Sequence, residues 1–352
     1  MTTPETSRLP AAKLRRFTAA ALAAVGLPKK DAAICAELML RADLHGADGH
    51  GIFRLPQYVR RIQGGAVKVK PKVRIAREAA GMALVDGDNG MGHVVMSFAA
   101  RTAIAKAKKA GAAWVGVKNS NHAGPASLYA AMPLEHDMIG LYLAVGNANH
   151  MAPWGGIDLL LSTNPIAIAV PGGREGPVVL DMATTVAAYG KVKTAAQRGE
   201  TMPEGWMIDH HGKPLTDPKR SNEGMLMPIG GYKGYGLALM FGLLAGTLNG
   251  AAVGSETIDF NADDVTPTNT GHAIVALSIS RFGKVAEFKR RVDKLARELR
   301  GSRRMHGVER ILLPGEQSRA KFAERSRLGV PIPEPLRASL AKLAGELGIA
   351  AL

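Results

Sequence analysis

The chain has 352 residues, of which 46% are apolar and 21% are charged. These are ordinary values for a globular protein, so they exclude a disordered or fibrous chain and leave room for two domains. The formal charge of +15 would raise the local concentration of anionic ligands.

The N-terminal region of the chain is predicted to be helical. Apolar residues recur at helical spacing from Leu9 to Val25, and a second helix is predicted from Asp31 to about Ala42. The only cysteine, Cys35, lies inside it, which excludes a disulfide framework and favours a reducing compartment. No apolar run follows the first charges, so we expect no secretory signal and a cytoplasmic protein.

From about Val73 the pattern changes to short β-type runs that alternate with helical ones, which predicts α/β layers around one sheet. The most apolar stretch, residues 236–248, is broken by Gly242 and Gly246 and is shorter than the roughly 20 residues of a membrane span, so no membrane partner is expected. Predicted strands are MALVDG, AAWVGV, MIGLYLAV, PIAIAV, GPVVLD and HAIVALSI, and predicted helices are 94–110, 126–135, 184–198 and 235–248.

After Lys284 the chain is again predicted to be helical, and its last segment, from near Pro335, is expected to pack on the N-terminal helices. The predicted division is 1–72 and 284–352 for a helical domain and 73–283 for an α/β domain. Much of the basic excess lies in this last region, so a basic nucleic-acid-binding protein is an alternative of another class. Aromatic residues are only 5% of the chain and acidic residues interrupt the basic run, so we expect no nucleic-acid partner.

Several common signatures are missing. No G-x-G-x-x-G fingerprint of a Rossmann domain occurs, and the stretches GDNGMG (87–92) and GGYKGYG (230–236) have the wrong spacing. The chain also lacks a Walker A sequence, H-E-x-x-H and a C-x-x-C pair. His45 and His50 have no neighbouring cysteine or paired carboxylates, so no metal site is expected.

The first polar cluster places Asp48, His50, Arg54 and Tyr58 within eleven residues. A histidine can exchange protons near neutrality, and an arginine can hold a carboxylate with two hydrogen bonds. The spacing from His50 to Arg54 would put both on one helical face if Gly51 opened a helix. This combination suits the interconversion of a 2-oxo acid and a 2-hydroxy acid, although a purely structural role is also open.

Three further clusters follow predicted strands or precede helices. His122, in the segment 119–124, comes directly after AAWVGV, where α/β sheets usually bind ligands. Asp181 ends the strand GPVVLD, where it could cap a following helix or orient a histidine, and the free N–H groups of that helix could donate to phosphate oxygens. Lys233 lies among glycines that permit close approach of a dinucleotide, whereas Lys191 and Lys193 are interpreted as surface lysines.

Six stretches resemble the malate/L-lactate dehydrogenase family, which also contains sulfolactate, ureidoglycolate and diketogulonate oxidoreductases. They are ADLHGADGHGIFRLPQY, VKNSNHAG, MAPWGG followed by STNP, VLDMATT, GGYKGYGLALM and LLPGE, in the family's order between Leu9 and Val330. The resemblance implies a non-Rossmann, mixed-sheet α/β domain that binds NAD or NADP, a helical domain built from both chain ends, and a homodimer.

The resemblance also implies roles for single residues. His50 matches a proposed proton donor in some members and His122 a proposed general base in others, while Arg54 would hold the substrate carboxylate with Tyr58 beside it. Asp181 joins these in the predicted catalytic set. The residues that match the family's cofactor contacts are Leu180, Asp181, Met182, Ala183, Thr184, Thr185, Val186, Lys233, Gly234, Pro314, Gly315 and Glu316.

Two departures from the family pattern bear on the substrate. The chain has Gly49 where many members have the serine of D-S-H-G, and it reads GNANH before MAPWGG, which adds His150. We therefore predict an enzyme that transfers a hydride between NAD or NADP and C2 of a small anionic 2-hydroxy or 2-oxo acid. His50 is ranked before His122 as proton donor, and a reductase of a cyclic imino acid is the alternative.

Overall fold

The computed structural model describes residues 7–352, without the side chains at 194, 197 and 198. Residues 1–6, the start of the predicted helical segment 1–72, lie outside the described residues. The α-helices are α1 Ala11–Ala24, α2 Lys29–Leu44, α3 Leu55–Gln63, α4 Gly92–Ala110, α5 Ser127–Ala130, α6 Tyr189–Arg198, α7 Tyr232–Ala245, α8 Val285–Arg300, α9 Glu316–Leu328 and α10 Glu334–Leu347.

The strands are β1 Ser7–Leu9, β2 Arg74–Ala79, β3 Met82–Asp86, β4 Ala112–Ser120, β5 Met138–Ala144, β6 Asn149–Met151, β7 Leu161–Ser162, β8 Ile166–Val170, β9 Val178–Met182, β10 Met207–Asp209, β11 Gly224–Leu226, β12 Thr270–Ser278 and β13 Val330–Ile332. Seven of them form one sheet in the order β2-β3-β4-β12-β5-β8-β9. In this sheet β3 and β4 pair in parallel, and the other neighbours are antiparallel. The prediction of a non-Rossmann, mixed-sheet α/β fold is confirmed.

The α/β core lies between α4 and the sheet. Its helix face carries mostly alanines, among them Ala99, Ala100 and Ala103, and these are fully buried against Val115 and Val117 of β4. Small side chains let the helix approach the sheet closely, and β-branched residues suit the pleated surface that it covers. This packing fixes the carboxyl end of β4, where His122 follows.

A second core joins the two ends of the chain. Leu14 and Phe17 of α1 pack in the same cluster as Leu340 and Leu343 of α10. Strand β1 pairs antiparallel with β13. Helix α8 instead contacts the α/β region, because Asp293 accepts hydrogen bonds from the backbone of residues 173–175. The domain boundaries stay a prediction.

A small lobe follows β9. The hairpin β10–β11 packs on α6 through Val192, Met207 and Leu226, all buried. This lobe matters for the site because it holds α6 over the strand β6.

Three predicted helices differ from the observed ones. The segment 126–135 breaks into the short α5 and a 3-10 turn at Met132–His136, because Pro133 cannot continue an α-helix. The helix expected from Thr184 begins only at Tyr189. The helix expected from Tyr235 already begins at Tyr232. Among the described residues, no helix combines the length and apolarity needed to cross a membrane.

Candidate active site

The loop between α2 and α3 carries the first pair of functional side chains. It forms two 3-10 turns, Asp48–His50 and Ile52–Arg54, which are separated at Gly51. A Cβ at Gly51 would lie 1.8 Å from Oδ1 of the buried Asp43, whose other carboxyl oxygen accepts the Ile52 N–H at 2.9 Å. No helix opens at Gly51, so the predicted common helical face of His50 and Arg54 does not form.

His122 lies two residues beyond the carboxyl end of β4, as its sequence position predicts. The turn around it is fixed by Asn121, whose side-chain amide donates to the backbone oxygens of Asn89 and Gly90 at 3.2 and 2.9 Å. Gly124 has a φ of 80°, which favours glycine. The turn therefore directs His122 toward the loop that carries His50.

Three side chains from different segments form a hydrogen-bonded row. Nδ1 of His50 lies 3.3 Å from Nε2 of His122. Nδ1 of His122 lies 2.5 Å from the Tyr58 hydroxyl. The two imidazole planes stack within 8° of each other, and the His122 ring also stacks on Phe260 with centroids 4.9 Å apart. The structure thus brings together three of the predicted catalytic residues.

Arg54 lies beside this row and is held from several sides. Its Nη1 donates to Gln57 Oε1 at 2.7 Å and to Asn261 Oδ1 at 3.1 Å, and its Nε donates to the Gly49 oxygen at 2.9 Å. The guanidinium carbon lies 5.1 Å from the centre of the Phe260 ring. Among the described residues its Nη2 has no hydrogen-bond partner, so this nitrogen is available to an anionic ligand.

Burial keeps the row uncharged at neutral pH. It lowers the pKa of His50 to about 4, with a further contribution from the Arg54 charge. The pKa of His122 is also held well below its usual range, first by burial and then by His50 and Arg54. Burial raises the pKa of the Tyr58 hydroxyl, so this group stays a neutral phenol.

Neutrality restricts the pattern of donors in the row. A neutral imidazole has one donor and one acceptor nitrogen. If the Tyr58 hydroxyl donates to Nδ1 of His122, then Nε2–H of His122 donates to Nδ1 of His50. The proton of His50 then lies on Nε2, the nitrogen with no partner in the row. This arrangement gives both contacts of the row one donor and one acceptor and leaves the Nε2–H of His50 for a ligand.

Two further histidines lie beneath the site, and no sequence motif marks either of them. His93 is fully buried, and its ring meets Tyr58 edge-on with centroids 5.6 Å apart. His272, on β12, contacts the Tyr142 hydroxyl at 2.7 Å and the Ser120 hydroxyl at 3.2 Å. Burial lowers the pKa of His93 to about 3 and that of His272 to about 4.

Two predicted site carboxylates are engaged elsewhere. Asp48 pairs with Arg325 of α9. Asp181 accepts the backbone N–H of Ser127 at 2.8 Å. The expectation that Asp181 caps a helix is wrong, since α6 starts eight residues later, and no described contact joins Asp181 to a histidine.

The predicted cofactor segments meet along β9, an edge strand of the sheet. The Pro314 oxygen accepts the Val179 N–H at 3.1 Å, which places 314–316 beside the start of β9. At its other end, the Thr184 oxygen accepts the Ile229 N–H at 2.9 Å, which leads to the start of α7. The segments Leu180–Val186, Lys233–Gly234 and Pro314–Glu316 therefore form one continuous strip.

Within this strip, several groups that were predicted to bind the cofactor already have partners in the protein. The N–H groups of Thr184 and Val186, expected to be free for phosphate, donate to the Thr163 and Met227 oxygens. The Glu316 carboxylate accepts from Arg300 and from the Leu313 N–H. The first turn of α7 has no acidic residue and carries the exposed Lys233, so it is the region of the strip that best fits a dinucleotide phosphate.

Sequence reasoning missed Gln57, Phe260 and Asn261, which hold Arg54 and His122 in place. Phe260 and Asn261 are about 200 residues from Arg54 along the chain, in a segment with no recognisable motif. The only sequence signal for them is a polar Asp-Phe-Asn-Ala-Asp-Asp run before β12. Across the region of the chain that is described, no group of three or more His, Cys, Asp or Glu side chains could hold a metal ion.

Comparison with known proteins places this arrangement in a family. A sequence model described as malate/L-lactate dehydrogenase matches residues 9–341. Malate dehydrogenase from Pyrococcus abyssi is 37% identical over 98% of this chain and 96% of that protein. L-sulfolactate dehydrogenase from Methanocaldococcus jannaschii is 39% identical over 92% of each. Ureidoglycolate dehydrogenase (NAD(+)) from Escherichia coli K12 is 30% identical over 90% of this chain and 89% of that protein.

Solved structures agree with these matches. Malate dehydrogenase from Pyrococcus horikoshii OT3 superposes with a TM-score of 0.91 at 34% identity, covering 100% of this chain and 99% of that one. The delta1-piperideine-2-carboxylate reductase from Pseudomonas syringae pvar. tomato superposes with a TM-score of 0.85 at 28% identity, covering 96% and 100%. The family resemblance predicted from the sequence is thus confirmed. The chain belongs to the malate/L-lactate dehydrogenase family of oxidoreductases.

Proposed function

We propose that the protein transfers a hydride between a nicotinamide dinucleotide, NAD or NADP, and C2 of a small 2-hydroxy or 2-oxo acid. The observation that carries this proposal is the row of His50, His122 and Tyr58 beside the half-satisfied guanidinium of Arg54. A proton-exchanging imidazole next to a carboxylate-binding cation is what this reaction requires of a protein. The malate and sulfolactate dehydrogenases among its relatives support the same reaction type.

In the reduction, Arg54 holds the substrate carboxylate through its free Nη2. That carboxylate neutralises the Arg54 charge, which is one of the two causes that lower the pKa of His50. Binding of the acid therefore favours uptake of a proton by His50, and Nε2 delivers it to the C2 oxygen. His122 and Tyr58 hold the His50 ring in a fixed orientation through the two hydrogen bonds of the row. Protonated His50 carries hydrogen on both ring nitrogens, so the row then runs the other way: Nδ1–H of His50 donates to Nε2 of His122, and Nδ1–H of His122 donates to the Tyr58 oxygen. In the oxidation the row starts in this second direction, and the bare Nε2 of His50 accepts the proton.

The strip along β9 would hold the dinucleotide, with Lys233 and the first turn of α7 at its phosphates. When bound, the cofactor supplies or accepts the hydride at C4 of its nicotinamide ring. The walls of the site would exclude water from the reacting carbons, since His122 is packed against Phe260 and Tyr58, and His50 stacks on His122.

A cyclic imino acid is the second candidate substrate, favoured by the superposition with a piperideine-2-carboxylate reductase. Reduction of a C=N bond would use the same carboxylate grip and the same hydride. A panel of 2-oxo acids and cyclic imino acids, followed by NADH and NADPH absorbance, separates the two. We expect turnover of 2-oxo acids, and turnover of imino acids alone would overturn the hydroxy-acid assignment.

We also propose that the protein is a homodimer of the cytoplasm. Its apolar surface on α7 supports the dimer, and the single buried cysteine Cys35 fits a reducing compartment. The candidate site combines the half-buried guanidinium of Arg54 with neutral imidazoles, which suits a small anion better than a nucleic-acid backbone.

A further inference from the structure

Asp48, a member of the first polar cluster of the sequence, takes no part in the hydrogen-bonded row. Its carboxylate instead forms an ion pair with Arg325 of α9, in which Nη2 of the arginine donates to Oδ2 of Asp48 at 3.2 Å. Nη1 of the same arginine donates to Oδ1 of Asp48 and to the backbone oxygen of Asp43. One guanidinium therefore joins the end of α2 to the loop that follows it.

This ion pair anchors the loop on one side of His50, and a second anchor lies on the other side. Asp48 opens the first 3-10 turn of the loop, and the second turn opens at Ile52. The Ile52 N–H donates to the buried carboxyl of Asp43 at 2.9 Å. Between the two anchors the chain has only three residues, with His50 in the middle and a glycine on each side.

The first anchor also acts on Arg54. The oxygen of Gly49, the residue that follows Asp48, accepts the Nε–H of Arg54 at 2.9 Å. Gly49 borders open space, because a Cβ at this position would meet no other atom within 4 Å. Glycine also has the greatest backbone freedom of any residue. The position of the Gly49 oxygen therefore depends on its neighbour Asp48, and through Asp48 on Arg325.

The two partners of the ion pair differ in burial. The Arg325 side chain is 10% exposed, whereas that of Asp48 is 59% exposed. An ion pair with one solvated end contributes little net stability. Two hydrogen bonds from one planar guanidinium nevertheless restrict the orientation of the carboxylate. We therefore expect the main effect of this pair on the geometry of the loop rather than on the stability of the fold.

We propose that Asp48 and Arg325 are positioning residues of the active site, whose ion pair holds the loop so that Nε2 of His50 and the guanidinium of Arg54 face one ligand. This inference rests on the proposed hydride transfer at C2. It gives a role to the member of the first polar cluster that the row leaves out. It also makes the site depend on α9, which comes from the other end of the chain.

The variants Asp48→Ala and Arg325→Met test this role. Each should lower kcat/KM by about 10- to 100-fold for the 2-oxo acid that the wild type reduces fastest, because a misplacement of about 1 Å can cost that much. The loss should appear in both kcat and KM, since His50 and Arg54 are displaced together. The Kd of NADH should stay within about two-fold, because the strip along β9 is unchanged.

Two further variants separate the ion pair from its single members. Asp48→Asn should retain most of the activity, because its amide oxygen still accepts a hydrogen bond from Arg325. The double variant Asp48→Ala/Arg325→Met should be no worse than either single variant, since both changes remove the same contact. Losses that multiply in the double variant would contradict a role of the pair as one unit.

Glu324→Ala is the matched control, because Glu324 precedes Arg325 on α9 and pairs with Arg8 of β1 instead of the loop. Its kcat/KM should stay within about two-fold of the wild type. Normal kinetics in Asp48→Ala, or an equal loss in Glu324→Ala, would overturn the proposal.

The titration of His50 gives a measurement that does not depend on turnover. Burial lowers the pKa of His50 to about 4, with a further contribution from Arg54. In Asp48→Ala the released loop should be more solvated, so the pKa of His50 should rise toward its ordinary value of about 6.5. NMR of the histidine ring protons measures it, with His50→Gln for assignment. A wild type that oxidises neither dinucleotide with any 2-oxo acid would remove the proposed reaction, whereas an unchanged pKa of His50 in Asp48→Ala would overturn the positioning role itself.

Discussion

At the scale of single residues, the His50–His122 contact joins two imidazoles that burial keeps neutral. Among the described side chains, no carboxylate forms a hydrogen bond with either ring to stabilise its charged form, unlike the aspartate that pairs with the histidine of a catalytic triad. The protonated form must therefore be stabilised by the substrate anion itself. This couples proton uptake to acid binding and gives Arg54 a second task besides holding the carboxylate.

The two residues should have separable effects on the kinetics. His50→Ala should lower kcat by about 10²- to 10⁴-fold, the usual contribution of a positioned acid or base. Arg54→Ala should mainly raise KM for the acid, because it removes a charged contact that is present in the bound ground state. Steady-state kinetics measures both, with His136→Ala, an exposed histidine, as control. Near-normal rates in both site variants would place the active site elsewhere.

The pH profile of the oxidation reports the same coupling. The neutral imidazole is the base, and it is present above its pKa, which is about 4 for His50 in the free protein. The value of kcat/KM for a 2-hydroxy acid follows the free enzyme, so it should stay level from about pH 8 down to about 5 and fall only below that. A fall centred near the ordinary histidine pKa of about 6.5 would contradict the burial argument.

At the scale of elements, α7 is apolar on nearly all sides, yet the sheet covers only one of them. Ala238, Phe241 and Ala245 are buried, whereas Leu237, Met240 and Leu243 are exposed. The exposed Trp154 lies against the start of the helix at Gly231, and an apolar cavity of about 250 Å³ lies beside it. Such a continuous apolar surface is typical of an interface.

We therefore expect Met240→Glu to weaken the proposed homodimer, because it would bury an unpaired charge at the interface. Light scattering during gel filtration should show a dimer for the wild type and a larger monomer fraction for the variant. Met305→Glu is a suitable control, since Met305 is 79% exposed and lies far from α7 in the sequence. A monomeric wild type, or a variant that dimerises as strongly, would contradict this use of α7.

The elements of the sheet could be predicted because their signals are local. The strands β3, β4, β5 and β12 are apolar runs between turn residues, and α4 has a regular apolar period. The start of α6 could not be predicted, because the backbone of 184–186 pairs with residues 163, 227 and 229, which are distant in sequence. Tertiary pairing overrides local helix preference there.

The candidate site, like the fold, could be predicted from the sequence only in part. His50, Arg54, Tyr58 and His122 could be found because each lies in a compact motif. Their mutual arrangement could not, since His50 and His122 are 72 residues apart and the chain turns at Gly51, where the Asp43 carboxyl leaves no room for a side chain.

At the scale of the whole molecule, the buried histidines link stability to pH. A histidine whose pKa is lowered by folding contributes stability that is complete above its unfolded pKa of about 6.5 and is lost as the pH falls toward the folded value. For His272, with a folded pKa of about 4, the loss lies between these two values. Burial raises the pKa of Asp43 to about 8, so the stability that Asp43 contributes is lost as the pH rises rather than as it falls. The contribution of a single histidine is therefore best measured by comparing a variant with the wild type.

His272→Gln should reduce the loss of unfolding free energy between about pH 7 and about pH 5 by about 2 kcal/mol relative to the wild type. Glutamine retains polar groups for Tyr142 and Ser120, and the comparison of differences cancels Asp43 and the other carboxyl groups. Urea unfolding at the two pH values gives the measurement. The control variant His136→Gln changes an exposed histidine and should lose as much unfolding free energy as the wild type. If His272→Gln also lost as much as the wild type, His272 would titrate normally in the folded state.

Transfer of an isotopic label tests the central proposal most directly. NADH or NADPH carrying deuterium at C4 of the nicotinamide ring is incubated with the protein and oxaloacetate, and the product acid is examined by mass spectrometry and NMR. The proposed function predicts a 2-hydroxy acid with deuterium at C2, and a much slower transfer in His50→Ala. Absence of label at C2, with every 2-oxo acid and both dinucleotides, would contradict the assignment of His50, His122 and Arg54 to hydride-transfer chemistry.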